Sequence, residues 1–216
     1  MVGASADIMT ITFDILHAAM NLPDFDRHAA QERMAPRPRA RLHQYKDVPA
    51  KQAGVLALFY PEADDSLHLV LTRRQDTLRG HAGQISFPGG KRDPQDQTFT
   101  FTALRETHEE LGIEPHPIQV LGELASFYVP PSNFDVHPTV GYLPHKPDFR
   151  PNPAEVAQVI TFPAAMLLEP ERKSAEDQLF HGMKIRIPYY TIHGHKVWGA
   201  TAAMLGELEG RISAAR

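Results

Sequence analysis

The chain contains no cysteine. Disulfides, thiol catalysis and zinc sites built on cysteine are therefore excluded. It also has no apolar run of the roughly 20 residues that a membrane-spanning helix needs. Basic charge is not in excess: 22 Lys and Arg stand against 26 Asp and Glu, a formal net charge of −4. That balance disfavours nonspecific nucleic-acid binding, and no membrane partner is expected. The N-terminus lacks a basic segment followed by an uninterrupted apolar stretch, because Asp7 and Asp14 break it. A secretory signal is not expected, and the cytoplasm is the expected location. What is present is enough for a core: 216 residues at 42% hydrophobic composition favour one domain with additions over two full domains.

Residues 7–34 carry a broken helical pattern. Ile8, Ile11, Phe13, Ile15, Leu16 and Met20 suit one amphipathic helix, and Asp24 to Met34 suit a second that Pro36 closes. The run from Pro36 to Arg41 is too rich in proline and charge for a buried element. It reads as a surface linker; a phosphate-binding role for Arg37, Arg39 and Arg41 is the alternative. Strands are expected at Val55–Tyr60, Leu67–Thr72, Gln84–Phe87, Val120–Val129, Val136–Leu143 and Val156–Phe162. Lys184–Tyr190 and Lys196–Trp198 suit a hairpin across His193-Gly194, and Ala200–Leu208 a closing helix. The whole implies an α+β class, with residues 1–50 an N-terminal helical extension and linker and 51–216 the main domain.

The most informative stretch runs from Leu71 to Ile113. Its helix, Thr98 to Leu111, carries Glu106, Glu109 and Glu110. At about 100° per residue these acids span an arc of about 100°, while Phe101, Leu104, His108 and Leu111 lie on the opposite arc expected to face the core. Three crowded acids repel unless a cation sits between them, and hard oxygen ligands suit Mg²⁺ or Mn²⁺. The alternative is a solvated helix face. A P-loop reading of Gly89-Gly90-Lys91 fails, because Arg92 follows where Ser or Thr is required.

The segment from Arg105 to Ile113 resembles the second half of the Nudix hydrolase signature, REuxEExGu with u apolar, except that Thr107 stands at an apolar position. The first half departs: Gly90 lies one residue too far upstream, and Gln97 occupies the place of the first glutamate. Upstream, LTRRQDTLRGHAGQISFPGG resembles the extra motif of the coenzyme A pyrophosphatase branch of that family, LLTxRSxxLRxHxGQVxFPGG. Leu71, Thr72, Arg74, Leu78, Arg79, His81, Gly83, Gln84, Phe87, Pro88, Gly89 and Gly90 match. The resemblance covers roughly Gln52 to Leu208.

The resemblance implies an α/β/α sandwich with a mixed sheet, and hydrolysis of the diphosphate of coenzyme A or an acyl derivative. The products would be 3′,5′-ADP and 4′-phosphopantetheine, plain or acylated. It implies Glu106, Glu109 and Glu110 as ligands of Mg²⁺ or Mn²⁺, and Arg105 as a residue holding the catalytic carboxylate and loop in place. Three candidates remain for the general base: Glu106, Glu155 and His81. Arg74 and Arg79 suit phosphate recognition through planar forks, or pairing with an internal carboxylate. With His81, Gln84, Gly89 and Gly90 they make up the expected substrate-binding set. Phe127, Tyr128, Phe134, Tyr189, Tyr190 and Trp198 are candidates for a substrate wall or for core. Two other functions fit the same residues: hydrolysis of NADH, ADP-ribose or another nucleoside diphosphate derivative, and nucleotide sensing without turnover. Nudix folds often form homodimers, so that state is also expected.

Overall fold

A computed structural model of the protein describes residues 10–38, 47–77, 82–180 and 182–216. Its main sheet contains β1 (Lys51–Pro61), β2 (Leu67–Arg74), β3 (Ile85–Ser86), β4 (Gly89–Lys91), β5 (Gln119–Glu123), β6 (Phe127–Val129), β7 (Phe134–Tyr142) and β8 (Val156–Pro163). A second sheet holds β9 (Lys173–Phe180), β10 (Met183–Ile192) and β11 (His195–Trp198). The helices are α1 (Phe13–Met20), α2 (Arg27–Glu32), α3 (Phe99–Leu111) and α4 (Gly199–Ala214). Among the described residues, none of these helices is long and apolar enough to cross a membrane.

The main sheet runs β3-β2-β1-β7-β5, with β4 and β6 added on β1 and β7 and β8 on β2. β1 and β7 are parallel from Lys51–Phe134 to Phe59–Tyr142, and the other pairs are antiparallel. The sheet is therefore mixed. β1 is buried from Ala53 to Tyr60, on both sides, because both of its faces are covered. Ala57, Phe59, Leu69 and Leu71 pack with Leu16, Leu205 and Leu208 on the α1 and α4 side. Leu56, Leu58 and Val70 pack with Ala103 and Leu111 of α3 on the other. This is the expected α/β/α sandwich.

The N-terminal helices share that core: Leu16 and Ala19 are fully buried in it. Gly206 and Gly210 of α4 lie against Ala30 and Met34 of the α2 segment, where an added Cβ would come within 3.4 Å of them. Glu207 is fully buried between these helices. It accepts from Gln31 Nε2 (3.0 Å), Ala125 N (2.9 Å) and Arg211 Nε (3.0 Å). A buried charge so completely bonded ties α2, α4 and the loop after β5 together, and removing one partner would cost about 3–5 kcal/mol.

Three expectations are corrected. Val120–Val129 is two strands rather than one, because Gly122 adopts φ +146° at a bulge and Ala125 N–H leaves the sheet for Glu207. β9 was not expected. Its KSAEDQLF sequence lacks an apolar alternation, but an edge strand needs only one ladder. Lys184 of β10 pairs with Asp177 of β9 (2.9 Å), and Lys196 of β11 reaches across β10 to Glu176. Of the expected surface linker Pro36–Arg41, Arg37 and Pro38 are exposed, and Arg37 exchanges two backbone hydrogen bonds with Arg186 of β10 (2.9 and 2.8 Å); residues 39–46, with Arg39 and Arg41, lie outside the described residues. Finally, α3 is turned from its expected orientation. Leu111 is buried and Leu104 packs on the core, but Phe101 is 51% exposed and His108 is largely open. The face pressed to the sheet is instead Thr102, Ala103, Thr107 and Glu110.

Small side chains explain that turn. Gly54 of β1 has no Cβ, and one added there would lie 2.4 Å from the carbonyl of Phe99. The helix backbone therefore comes down on Gly54 along its Thr102–Ala103 edge. Thr107, the position expected to be apolar, is fully buried, and its hydroxyl donates to Ala103 O at 2.7 Å. With the hydroxyl bonded inside the helix, only its methyl needs packing. Thr98 caps the helix by accepting from Phe101 N (3.0 Å), and Gly112 ends it at φ +69°. The hairpin across His193 and Gly194 closes as expected, with φ positive at both residues.

Candidate functional site

The site is assembled where three glycines let three backbones converge. β4 lays Gly89 opposite Val55 and Gly90 opposite Gly54, and Gly54 in turn faces α3. Gly89 adopts φ +145°, and a Cβ there would stand 2.4 Å from Gly54 O, so glycine is required. The space a Cβ would fill at Gly90 is taken by the Glu106 carboxylate, with Oε2 at 2.2 Å from that point. Gly89 N–H donates to Glu110 Oε2 at 3.2 Å. The FPGG turn and the helical acids thus form one structure.

Burial sets the electrostatics. The Glu110 side chain is 4% exposed. Burial pushes its carboxyl up to about 7, reinforced by Glu155 and Glu106 and opposed by the Gly89 N–H and by Arg74. Glu106 is raised as well, first by burial, with Arg105 opposing and Glu109 and Glu155 adding repulsion. Repulsion of this kind is what a neighbouring positive charge relieves.

Arg74 supplies one such charge, with Nη1 3.7 Å from Glu110 Oε1. Of its two expected roles, pairing with an internal carboxylate is therefore the one this structure displays. Glu155 sits at the start of β8, partly buried. Its backbone carbonyl accepts from Gln75 N (2.9 Å) and its Oε1 from Asn152 Nδ2 (3.4 Å). Glu109 is half-exposed and lies 3.2 Å from Arg105 Nη1. Gln84 O accepts from Arg74 N at 3.0 Å, beside β3. Arg79 and His81 lie outside the described residues.

Among the described residues, no group of three or more His, Asp or Glu side chains stands as a ready-made metal cage. The chemistry of the donor set nevertheless fits a hard divalent ion. Glu106 and Glu110 converge on the glycine turn and are held there by cationic side chains and a backbone N–H. An ion of higher charge satisfies such oxygens better. Of the six aromatic candidates, five have internal partners or burial. Phe127 is buried, Tyr190 donates to Glu209 (2.6 Å) and Tyr128 to Asn133 (2.9 Å), while Lys51 lies over Phe134 and Lys196 over Tyr189. Trp198 is the most exposed, at 40%.

One charged residue of the site was not expected from the sequence. Asp96 is wholly buried and pairs with Arg105 through Nε (3.2 Å) and Nη2 (2.9 Å). The Arg105 hydrogen bonds hold its carboxyl well below the usual carboxylate range. Its only sequence signal was an acid in a turn before a helix cap, which is common in any loop. Arg105 also reaches Glu106 Oε1 (2.9 Å) and Glu109. The buried side of α3 is the reason, since it carries Arg105 over the β4 turn.

A family model described as the NUDIX domain matches residues 50–181. Over 144 residues the chain is 40% identical to the uncharacterized Nudix hydrolase NudL of Photorhabdus laumondii, covering 67% of this chain and 76% of that protein. The NudL of Yersinia enterocolitica is 40% identical over 145 residues, covering 67% and 74%. Among solved structures, a MutT/nudix family protein from Enterococcus faecalis matches 95% of this chain and 76% of its own at a TM-score of 0.53 and 13% identity. At that identity the likeness concerns the fold alone.

Proposed function

The chain belongs to the NUDIX family, and from that premise we propose that it hydrolyses the diphosphate linkage of coenzyme A or an acyl-CoA. The observation that carries this reading is the contact of the FPGG turn with the acids: Gly90 under Glu106, and Gly89 N–H on Glu110. It joins the segment resembling the coenzyme A branch to the segment bearing the family's acids.

Glu106 and Glu110 would hold a divalent cation, with Glu109 completing the set after it leaves Arg105. Bound there, Mg²⁺ or Mn²⁺ would neutralise diphosphate charge and lower the pKa of the attacking water. Arg74, partly exposed beside Glu110, would present its planar guanidinium to a substrate phosphate. Coenzyme A carries a 3′-phosphate besides its diphosphate, so a second arginine in the same segment, Arg79, has an evident use. Glu106 or Glu155 would take the proton from water; each raises the pKa of a neighbouring acid, so both belong to one electrostatic unit.

The test is product analysis with coenzyme A and Mg²⁺, then Mn²⁺, with NADH and ADP-ribose in parallel. Appearance of 3′,5′-ADP with phosphopantetheine, faster than the rival products, is the expected result. Cleavage of only the rivals would keep the carboxylate chemistry and remove coenzyme A as substrate. Tight nucleotide binding with no metal-dependent product would make the protein a sensor. A second expectation concerns Gly90→Ala. The added methyl meets the far end of a flexible side chain, so the fold should survive while Glu106 is displaced. Turnover should fall by about tenfold or more, with an unchanged circular dichroism spectrum.

A further inference from the structure

Arg105 is a shared cation. A guanidinium offers five N–H donors in one plane. Here one edge, Nε and Nη2, forks onto Asp96 at 3.2 and 2.9 Å, while Nη1 reaches Glu106 (2.9 Å) and Glu109 (3.2 Å). Nη2 also donates to Lys91 O in β4 at 3.3 Å. Asp96 is itself anchored by Asp93 N (3.0 Å) and Thr102 Oγ1 (2.9 Å), so the fork is fixed to both the turn and α3.

We propose that Asp96 is a positioning residue for the cation site, acting through Arg105. By holding the forked edge of the guanidinium, it keeps Arg105 from turning that fork onto Glu106 or Glu109. The inference rests on the metal-dependent reading above. Without Asp96, one positive charge would face two glutamates and no competing acid. Its best arrangement would be a fork across Glu106 or Glu109, where an incoming cation would have to displace it. With Asp96 present, Arg105 gives the glutamates only Nη1, one contact to each, and no fork. Asp96 touches neither substrate nor metal in this account.

The test is Mn²⁺ binding to the full chain without substrate, followed by the electron paramagnetic resonance of free Mn²⁺, with thermal melting to establish folding. Asp96→Asn should weaken Mn²⁺ binding by about tenfold or more, the range for groups that orient metal ligands. Thr102→Val removes one hydrogen bond from Asp96 but leaves the fork, so its Mn²⁺ affinity should match that of the unmodified chain even if it melts earlier. Arg105→Lys keeps the charge and loses the fork, and Asp96→Asn added to it should weaken binding no further. Folded Asp96→Asn with unaltered affinity, or full additivity of the two changes, would overturn the proposal. Should Asp96→Asn not fold, unaltered affinity in folded Arg105→Lys overturns it equally. If the unmodified chain binds no Mn²⁺, the metal reading itself fails and takes this inference with it.

Discussion

Replacing Glu110 by Gln is expected to cut turnover by roughly a hundredfold or more while the protein stays folded, because even groups that merely support metal ligands are worth about 10–100-fold. Glutamine keeps the shape and can still accept from Gly89 N–H, so only the charge is lost. The stability consequence has a definite sign. Burial raises the Glu110 carboxyl from 4.5 to about 7. Below about pH 4.5 it is neutral in both folded and unfolded chains and nothing is lost. As pH rises from there to about 7, the unfolded chain ionises first, so folded stability falls. Above that window the full penalty applies, on the order of 3 kcal/mol at about 1.4 kcal/mol per tenfold step. Glu110→Gln should therefore gain in melting temperature relative to the unmodified protein at pH 8, and lose most of that gain at pH 5. Adding Mg²⁺ at pH 8 should raise the melting temperature of the unmodified protein and leave the variant unmoved. Full turnover in the folded variant would remove Glu110 from the metal site.

The second large effect is structural. Gly54→Ala would place a methyl 2.4 Å from the carbonyl of Phe99 and 3.0 Å from the Ala103 nitrogen, both backbone atoms that cannot rotate away. Helix α3 would have to lift off the sheet. The expected cost is about 3 kcal/mol, the upper end for overpacking, and a melting point lower by roughly 6–12 °C for a domain of this size. The variant should also lose activity beyond its loss of folded protein, since lifting α3 separates Glu106 and Glu110 from the β4 turn. Melting within 2 °C of the unmodified protein would show that the helix does not rest on Gly54.

Gly54 was silent in the sequence, where it is one glycine in an apolar run. Only pairing β1 with β4 and laying α3 across it gives that residue a reason. The same packing explains the turned helix. Helical periodicity placed Phe101 inward as the larger apolar group, but the sheet surface at Gly54 admits only small side chains, so Ala103 and Thr107 went in and Phe101 stayed out. Glu110 was carried inward with them. An acid expected on an open stripe thus became buried, and its raised carboxyl follows. Asp96 escaped notice for a related reason: its partner Arg105 is nine residues away across a turn, a distance no local pattern encodes.

What the amino-acid order determined by itself was local. The helix carrying Glu106, Glu109 and Glu110, its Gly112 stop, the FPGG turn, the β10–β11 hairpin and the mixed α+β class all follow from short-range spacing and composition. Tertiary structure decided which face of α3 is dry, which acid Arg74 meets, how Arg105 divides its donors and where the charged edge strand β9 attaches. Those choices depend on what each surface finds opposite it. Side-chain size at a contact, and the cost of leaving a buried charge unpaired, are properties of the assembled pair of surfaces and not of either segment alone.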